Sequence, residues 1–409
     1  MSRSTRPVLI VVGGTDPVFR RYCVEQAAAA HPLLLIDAKP PTWSQCLIVD
    51  YEVADIRDPA AVTAAGLALA ERHSIAGAVT WDEYALVPTA TLADRLGLPG
   101  NTVASMNACR DKATSRRLFA EHGVPSAVST RVDTLAQATT AAQLTGFPVV
   151  LKPSSHAGSI GVIRVDRPEE LPDAWEFAGA GASEQGPEGS GVLVEEYLDG
   201  PEISVECVTQ HGRSTAVTVT RKEVAFAPYF EEVGHTVSSD DPLLIEAAPV
   251  AVEAVRALGI ANGVQHVEMR LTASGPRIIE VNARIGGDLI GKLVRLTTGL
   301  DLPRIAADIA CGNAPDLVPT AHGTAAIQVL YPPASGTLTA RHLRTGPDQN
   351  PWLHQVAWLR EVGDQVALPP EGDVDSARIG LFIVTADSPS TAQKRLASLT
   401  EGLTLAVAP

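Results

Sequence analysis

Aromatic side chains are scarce in this 409-residue chain, at only 4% of positions. A core with so few rings must pack through aliphatic side chains and alanine, which the 45% hydrophobic content supplies. Long apolar runs are missing too. No stretch approaches the roughly 20 residues that span a bilayer. The opening MSRSTRPVLIVVGG holds an apolar run of strand length, so neither a secretion signal nor a membrane anchor is expected. Cysteine is sparse and unpatterned: Cys23, Cys46, Cys109, Cys207 and Cys311 are odd in number and never spaced C-x-x-C. That argues against a disulfide framework or a thiolate metal site, and for free thiols in a reducing cytoplasm. Positive charge is in deficit, with a formal net charge of −15. Extended contact with nucleic acid or anionic membrane is therefore not expected, although a few local cations suffice to hold one nucleotide.

A chain of this length predicts two to four packed units. PVLIVV (7–12), LLLID (33–37) and AGAVTWDE (76–83) read as strands, alternating with helical stretches as in parallel α/β winding. This first unit extends over residues 1–105. Gly13-Gly14 after the first strand lacks the full G-x-G-x-x-G and reads as a tight turn rather than a dinucleotide site. A second unit over 106–190 holds one helix at 107–122, a helix near 134–145, a strand at 147–152, a glycine-bearing loop at 154–161 and a strand at 162–165. The Gly-, Ser- and Glu-rich stretch 178–191 reads as an exposed connection. A third unit over 191–312 holds strands at 192–198, 202–208 and 214–220, a helix at 243–258, a hairpin at 264–282 and a helical 289–311. From 313 to 409, prolines, glycines and short strands suggest a β-rich closing lobe.

Four segments gather chemistry. Lys112 and Arg116, four apart on a helix, share a face that could meet phosphate oxygens, or merely solvent. FPVVLKPSSHAGSIGV (147–162) delivers Lys152 at the end of an apolar strand, where lysine is rarely buried unpaired. Its loop, with Ser159 and two glycines, Gly158 and Gly161, lets backbone N–H groups approach phosphate without being a Walker A loop. VLVEEYLDGPEISVE (192–206) places Glu202, Ser204 and Glu206 on one strand face, which by itself also fits a solvated face. The fourth segment is the most informative. VQHVEMRL (264–271) alternates His266, Glu268 and Arg270 against an apolar face. PRIIEVNARIGG (276–287) alternates Glu280 and Asn282 against Ile279 and Val281. Carboxylates crowded across two strands repel, and a hard divalent cation such as magnesium relieves that repulsion.

The ordered motifs KPSSHAGSIGV, VEEYLDGPE and EVNARIGG resemble the ATP-grasp superfamily, and in particular its carboxylate–amine ligases of the L-amino acid ligase type. The resemblance covers about residues 75–312. It implies an ATP-grasp fold, of mixed α/β and α+β class, with a Rossmann-like α/β domain before it. It implies that Lys112 and Lys152 contact the ATP phosphates, with Lys152 also near the adenine edge, and that Ser159 and its glycine neighbours close as a flap. Glu195, Glu196 and Leu198 would line the adenine pocket, and Glu202 would take the ribose hydroxyls. Glu268, Glu280 and Asn282 would hold magnesium, as two ions, with manganese the alternative. Arg284 would steady the transferring phosphoryl group, beside the substrate-side Gly287.

The segment FEEVGH (230–235) is similar to the amino acid ligase subgroup and places Glu232 and His235 against the substrates. Glu83, in WDE, would bind the amine, and Lys222 is a candidate third cation. By this resemblance the partners are ATP, a small carboxylic acid or amino acid, and an amine or amino acid, and the assembly is a homodimer. The alternatives are an ATP-dependent carboxylase acting on bicarbonate and a non-catalytic ATP-binding protein.

Overall fold

The computed structural model describes residues 7–184, 191–374 and 376–409. The apolar runs Val8–Val12 and Leu33–Asp37 become the middle of a parallel four-stranded sheet, flanked by Ile48–Val53 and Ile75–Val79. Helices cover both faces of such a sheet, so its inner strands carry no polar alternation. Gly13 and Gly14 turn the chain out of the first strand at positive φ. A Cβ on Gly14 would lie 2.4 Å from the Trp81 ring. The pair is thus a tight turn packed on a buried tryptophan, as its incomplete motif suggests.

A second, antiparallel sheet has the order Ser129–Val132, Val192–Glu196, Val149–Pro153, Ile163–Val165. A third, eight-stranded sheet runs from the hairpin Gly275–Asn282 and Gly263–Thr272 through Glu202–Gln210, Arg213–Ala225 and Glu231–Ser238. It continues into Thr324–Leu330, Gly380–Ala386 and Leu353–Trp358. One face is covered by the helix Leu243–Ala257, whose Ala247, Ala251 and Ala254 pack on Val205, Val267 and Val281. This is the alanine-and-aliphatic core that the shortage of rings implies. A small three-stranded sheet (Gln365–Val366, Gly336–Leu343, Leu403–Ala408) completes the closing lobe.

Several expectations change. The helix expected over 107–122 is two, Val103–Arg110 and Lys112–His122. Asp111 stands between them in an extended conformation and caps the second. The helical stretch 289–311 likewise splits into Ile290–Thr298 and Leu302–Ala310, because Gly299 ends one at positive φ and Asp301 caps the next. The stretch 178–191 begins inside the helix Leu171–Glu184, while 185–190 lie outside the described residues. The closing lobe carries a helix, Pro389–Glu401. Sheets also cross the unit boundaries: Val192–Glu196 pairs with the lysine strand Val149–Pro153, and the lobe beyond 312 adds three strands to the eight-stranded sheet.

Candidate active site

The hairpin Gly263–Thr272 and Gly275–Asn282 sets Glu268 directly opposite Glu280 and His266 opposite Asn282. Two facing carboxylates repel unless cations intervene. Here Lys112 Nζ lies 2.9 Å from Glu280, and Lys222 Nζ lies 3.5 Å from Glu268. Asn282 Nδ2 donates to Glu268 at 3.2 Å. Burial alone would push the Glu268 carboxyl up, but Lys222 and His266 hold it down at about 2. His266 is no open polar-face residue. It is buried, with Nδ1 2.6 Å from Glu206, and although burial opposes its charge, Glu206 raises it to about 9.

A register shift after Glu268 corrects the expected alternation: Ile278 and Val281 enter the core, while Ile279 turns to the cleft and its carbonyl accepts from Arg116. One extra residue in a bulge flips the side chains beyond it.

Lys112 and Lys152 reach the same cleft from separate elements. Asp111 caps its helix through the backbone N–H groups of Ala113 and Thr114, and it also accepts from Ser154 Oγ. Lys112, at the first helical position, donates to the His156 carbonyl at 2.6 Å. The glycine-bearing loop is therefore anchored at its start, while Gly158, Ser159 and Gly161 all take positive φ. Lys152, only 4% exposed, lies 2.6 Å from Glu195, which Arg116 also meets at 2.8 Å. Burial lowers the Lys152 ammonium despite Glu195. Against its own burial, Glu195 is held at about 2 by Arg116 and Lys152. Glu195 therefore neutralises two cations rather than standing as a bare acid at the pocket wall. Glu196 is engaged by both Arg277 Nη atoms at 2.7 Å.

Glu202 pairs with Arg270 at 2.9 Å. Lys222 lies 2.6 Å from Glu232 and 3.9 Å from Glu202. Their oxygens and that of Glu268 cluster tightly enough to surround one cation, and the lysine supplies it. Arg284 Nε lies 2.8 Å from Glu83.

A cleft open to solvent is lined by Lys112, Lys152, Ser159, Glu195, Glu196, Leu198, Glu202, Lys222, Glu232, Glu268, Glu280, Asn282, Arg284 and Gly287. Two expected site residues lie outside that lining. Glu83 is buried behind Arg284 and is also 3.3 Å from Arg110, so its carboxylate is occupied by two guanidinium groups instead of facing an amine. His235 is buried beneath the cleft, 3.2 Å from both Glu232 and Asp288. Sequence reasoning missed Asp288 and Arg378, which do line the cleft. Asp288 directly follows the flagged glycine pair, whereas no motif marks Arg378.

Residues 145–292, which supply most of the lining of this cleft, match the ATP-grasp domain. An uncharacterized protein of Sinorhizobium fredii is 28% identical over 99% of this chain and 84% of its own length. Alanine–anticapsin ligase of Bacillus subtilis is 29% identical over 59% of this chain, and the match spans about half of that ligase (55%). The L-amino acid ligase of Bacillus licheniformis superposes with a TM-score of 0.84 at 21% identity, over 99% of this chain and 100% of the other. That likeness shows that the chain shares the mixed α/β fold of that protein over nearly its whole length.

Proposed function

We propose that this protein is an ADP-forming carboxylate–amine ligase that makes an amide or peptide bond through an acyl-phosphate, with an amino acid among its substrates. One observation carries the reading. Glu268 and Glu280 face each other across the hairpin, inside a cleft that also holds Lys112, Lys152 and Arg284. The likeness to alanine–anticapsin ligase supports the carbon–nitrogen chemistry.

A carboxylate has no useful leaving group, so it must first take the γ-phosphoryl of ATP. That transfer needs positioning and charge neutralisation rather than covalent help. Lys112 and Lys152 would hold the triphosphate, and Arg284 would bind the transferring phosphoryl group and the acyl-phosphate. Leu198 and the backbone of Glu195–Glu196 would border the adenine, with Glu202 at the ribose. The oxygen donors of Glu268, Glu280 and Asn282 fit a hard cation. Magnesium there, as one or two ions with manganese a substitute, would screen the phosphate charge.

Ser159 and its glycine neighbours would shield the acyl-phosphate from water. An amine nitrogen then attacks the acyl carbon, the acyl–oxygen bond breaks, phosphate leaves, and the ammonium proton is released. Glu232 faces the cleft but is held ionised by Lys222 against its burial, so it suits binding an ammonium better than removing its proton. His235 would orient Glu232 and Asp288 from below.

No helix among the described residues is long and apolar enough to cross a membrane, and the cysteines are unpaired. A cytoplasmic setting is proposed on that chemistry.

A screen of phosphate and ADP release over pairs of amino acids and small carboxylic acids, followed by product mass, tests the reading. Amide product with stoichiometric ADP is expected. ADP release with bicarbonate alone would replace the reading with a carboxylase. No turnover with any pair would replace it with a non-catalytic ATP-binding protein.

A further inference from the structure

Glu206 stands next to the carboxylate hairpin, yet the proposed phosphoryl transfer does not use it. It belongs to the strand Glu202–Gln210 and is 0% exposed, whereas Glu268 lines the cleft. Strand pairing sets Glu206 opposite His266, which in turn stands opposite Asn282. The next row on that face is Ser204, Glu268 and Glu280. His266 bridges the two rows. Its Nδ1 lies 2.6 Å from Glu206 Oε1 and its Nε2 lies 3.2 Å from Glu268 Oε1. Ser204 Oγ also donates to Glu206 Oε1, at 3.2 Å.

Both partners of the ring are carboxylates, and an ionised carboxylate only accepts hydrogen bonds. The imidazole therefore donates from both nitrogens and carries a positive charge. Its freedom to leave this geometry is small. The side chain is buried, and a Cβ on Gly286 would lie 2.9 Å from Nδ1. Glycine at 286 lets the backbone after the hairpin lie directly against the ring. Stability does not account for the arrangement, because removing such a pair from water costs about as much as its attraction returns.

The contacts on Glu268 are one-sided. His266 Nε2, Asn282 Nδ2 at 3.2 Å and Lys222 Nζ at 3.5 Å all meet Oε1. Lys222 ends a flexible chain and lies closer to Glu232, at 2.6 Å. Asn282 would turn its own oxygen to a cation. Of the three donors, His266 is the one locked from behind by a second carboxylate.

We propose that Glu206 and His266 are positioning residues for the cation site: His266 holds Glu268 by Oε1 and leaves Oε2 as the ligand atom, while Glu206 fixes the ring. The assignment rests on the reading of Glu268, Glu280 and Asn282 as metal ligands and deepens it. Glu206 has a second effect. A charged ring alone would cancel part of the charge that Glu268 offers to a cation, and the anion behind the ring restores it. Glu206, His266, Glu268 and Glu280 all come from three adjacent strands rather than from loops, which suits a site that must hold its geometry closely. Groups that orient a metal ligand in this way change metal affinity by about 10- to 100-fold.

The test titrates manganese into the full-length enzyme saturated with ADP and reads the free ion from its paramagnetic resonance signal. ADP affinity in EDTA, measured by calorimetry, reports the fold. His266→Ala and Glu206→Gln should each weaken manganese binding about 10-fold or more, with ADP affinity in EDTA unchanged. In turnover, the magnesium needed for half-maximal ADP release should rise by a similar factor, while the rate at saturating magnesium is largely kept. The double variant Glu206→Gln/His266→Gln replaces the charged pair with two amides. It should bind manganese more tightly than His266→Ala, because a donor to Glu268 is restored. Unchanged manganese affinity in both single variants would overturn the assignment while leaving the metal site standing. Loss of ADP affinity in EDTA in the single and double variants alike would make the pair a folding element and overturn the assignment too. A wild-type ADP complex that binds manganese no more tightly than free ADP does would bring down the metal reading and this assignment with it.

Discussion

Arg284 Nε and the Glu83 carboxylate meet at 2.8 Å across the junction between the parallel sheet and the carboxylate hairpin. Glu83 is fixed from behind by Arg110, and Arg284 also donates to the carbonyl of Ile285 at 2.9 Å. The guanidinium is thereby aimed before any substrate arrives. Such preorganisation is what the proposed phosphoryl transfer would ask of Arg284.

Replacing Arg284 by alanine should lower turnover by about 100-fold or more, with a smaller change in ATP affinity. Glu83→Gln should lower kcat by up to roughly 100-fold through misplacement of Arg284. Steady-state ADP release and nucleotide binding separate the two effects. A large rise in amine KM with kcat intact in Glu83→Gln would restore Glu83 as an amine-binding acid.

Glu280→Ala should abolish ADP release with substrates present while the circular dichroism spectrum stays native. A chelator should do the same to the wild type, with recovery on adding magnesium. Full activity in Glu280→Ala would overturn the proposed assignment of the hairpin carboxylates to a metal ion.

Glu195 is shared by two buried cations, so Glu195→Gln should destabilise the protein by about 3–5 kcal/mol. Its pH behaviour follows from the sign of its shift. An unfolded-chain carboxyl of this type titrates at 4.5, and Arg116 and Lys152 hold it at about 2 against the cost of burial. Its contribution is complete above about pH 4.5 and disappears as pH falls towards 2. It amounts to something on the order of 3 kcal/mol. Melting temperatures from pH 6 to 2.5 should show a steeper acid-side decline in wild type than in Glu195→Gln.

Asp111→Ala removes both a helix cap and the acceptor for Ser154. About 1 kcal/mol of stability should be lost with the cap. ATP KM should rise as well, because the loop bearing Ser159 loses a tether. A melting curve together with ATP titration checks both halves, and an unchanged KM would free the loop from this coupling.

The alternation in VQHVEMRL and EVNARIGG was enough to expect Glu268, Glu280 and Asn282 on one face, because strand periodicity is a local property. The lysine at the end of an apolar strand was legible for the same reason. Ile279 was misread because a bulge depends on the partner strand. Asp111 was missed as a helix break because capping is decided by whether a side chain finds backbone N–H groups. Its approach to Ser154, 43 residues away, reinforces that geometry.

By itself, the order of residues determined an aliphatic, alanine-rich core, a parallel α/β start, a glycine-bearing loop behind a lysine strand, and a hairpin with carboxylates on one face. These follow from spacing along the chain. Tertiary structure alone decided which charge meets which: Lys222 among three glutamates, Lys152 and Arg116 on one carboxylate, Glu83 behind Arg284, and Asp288 against Arg378. The reason is physical. A buried charge must find a partner within a few ångströms, and folding, rather than sequence distance, brings that partner close.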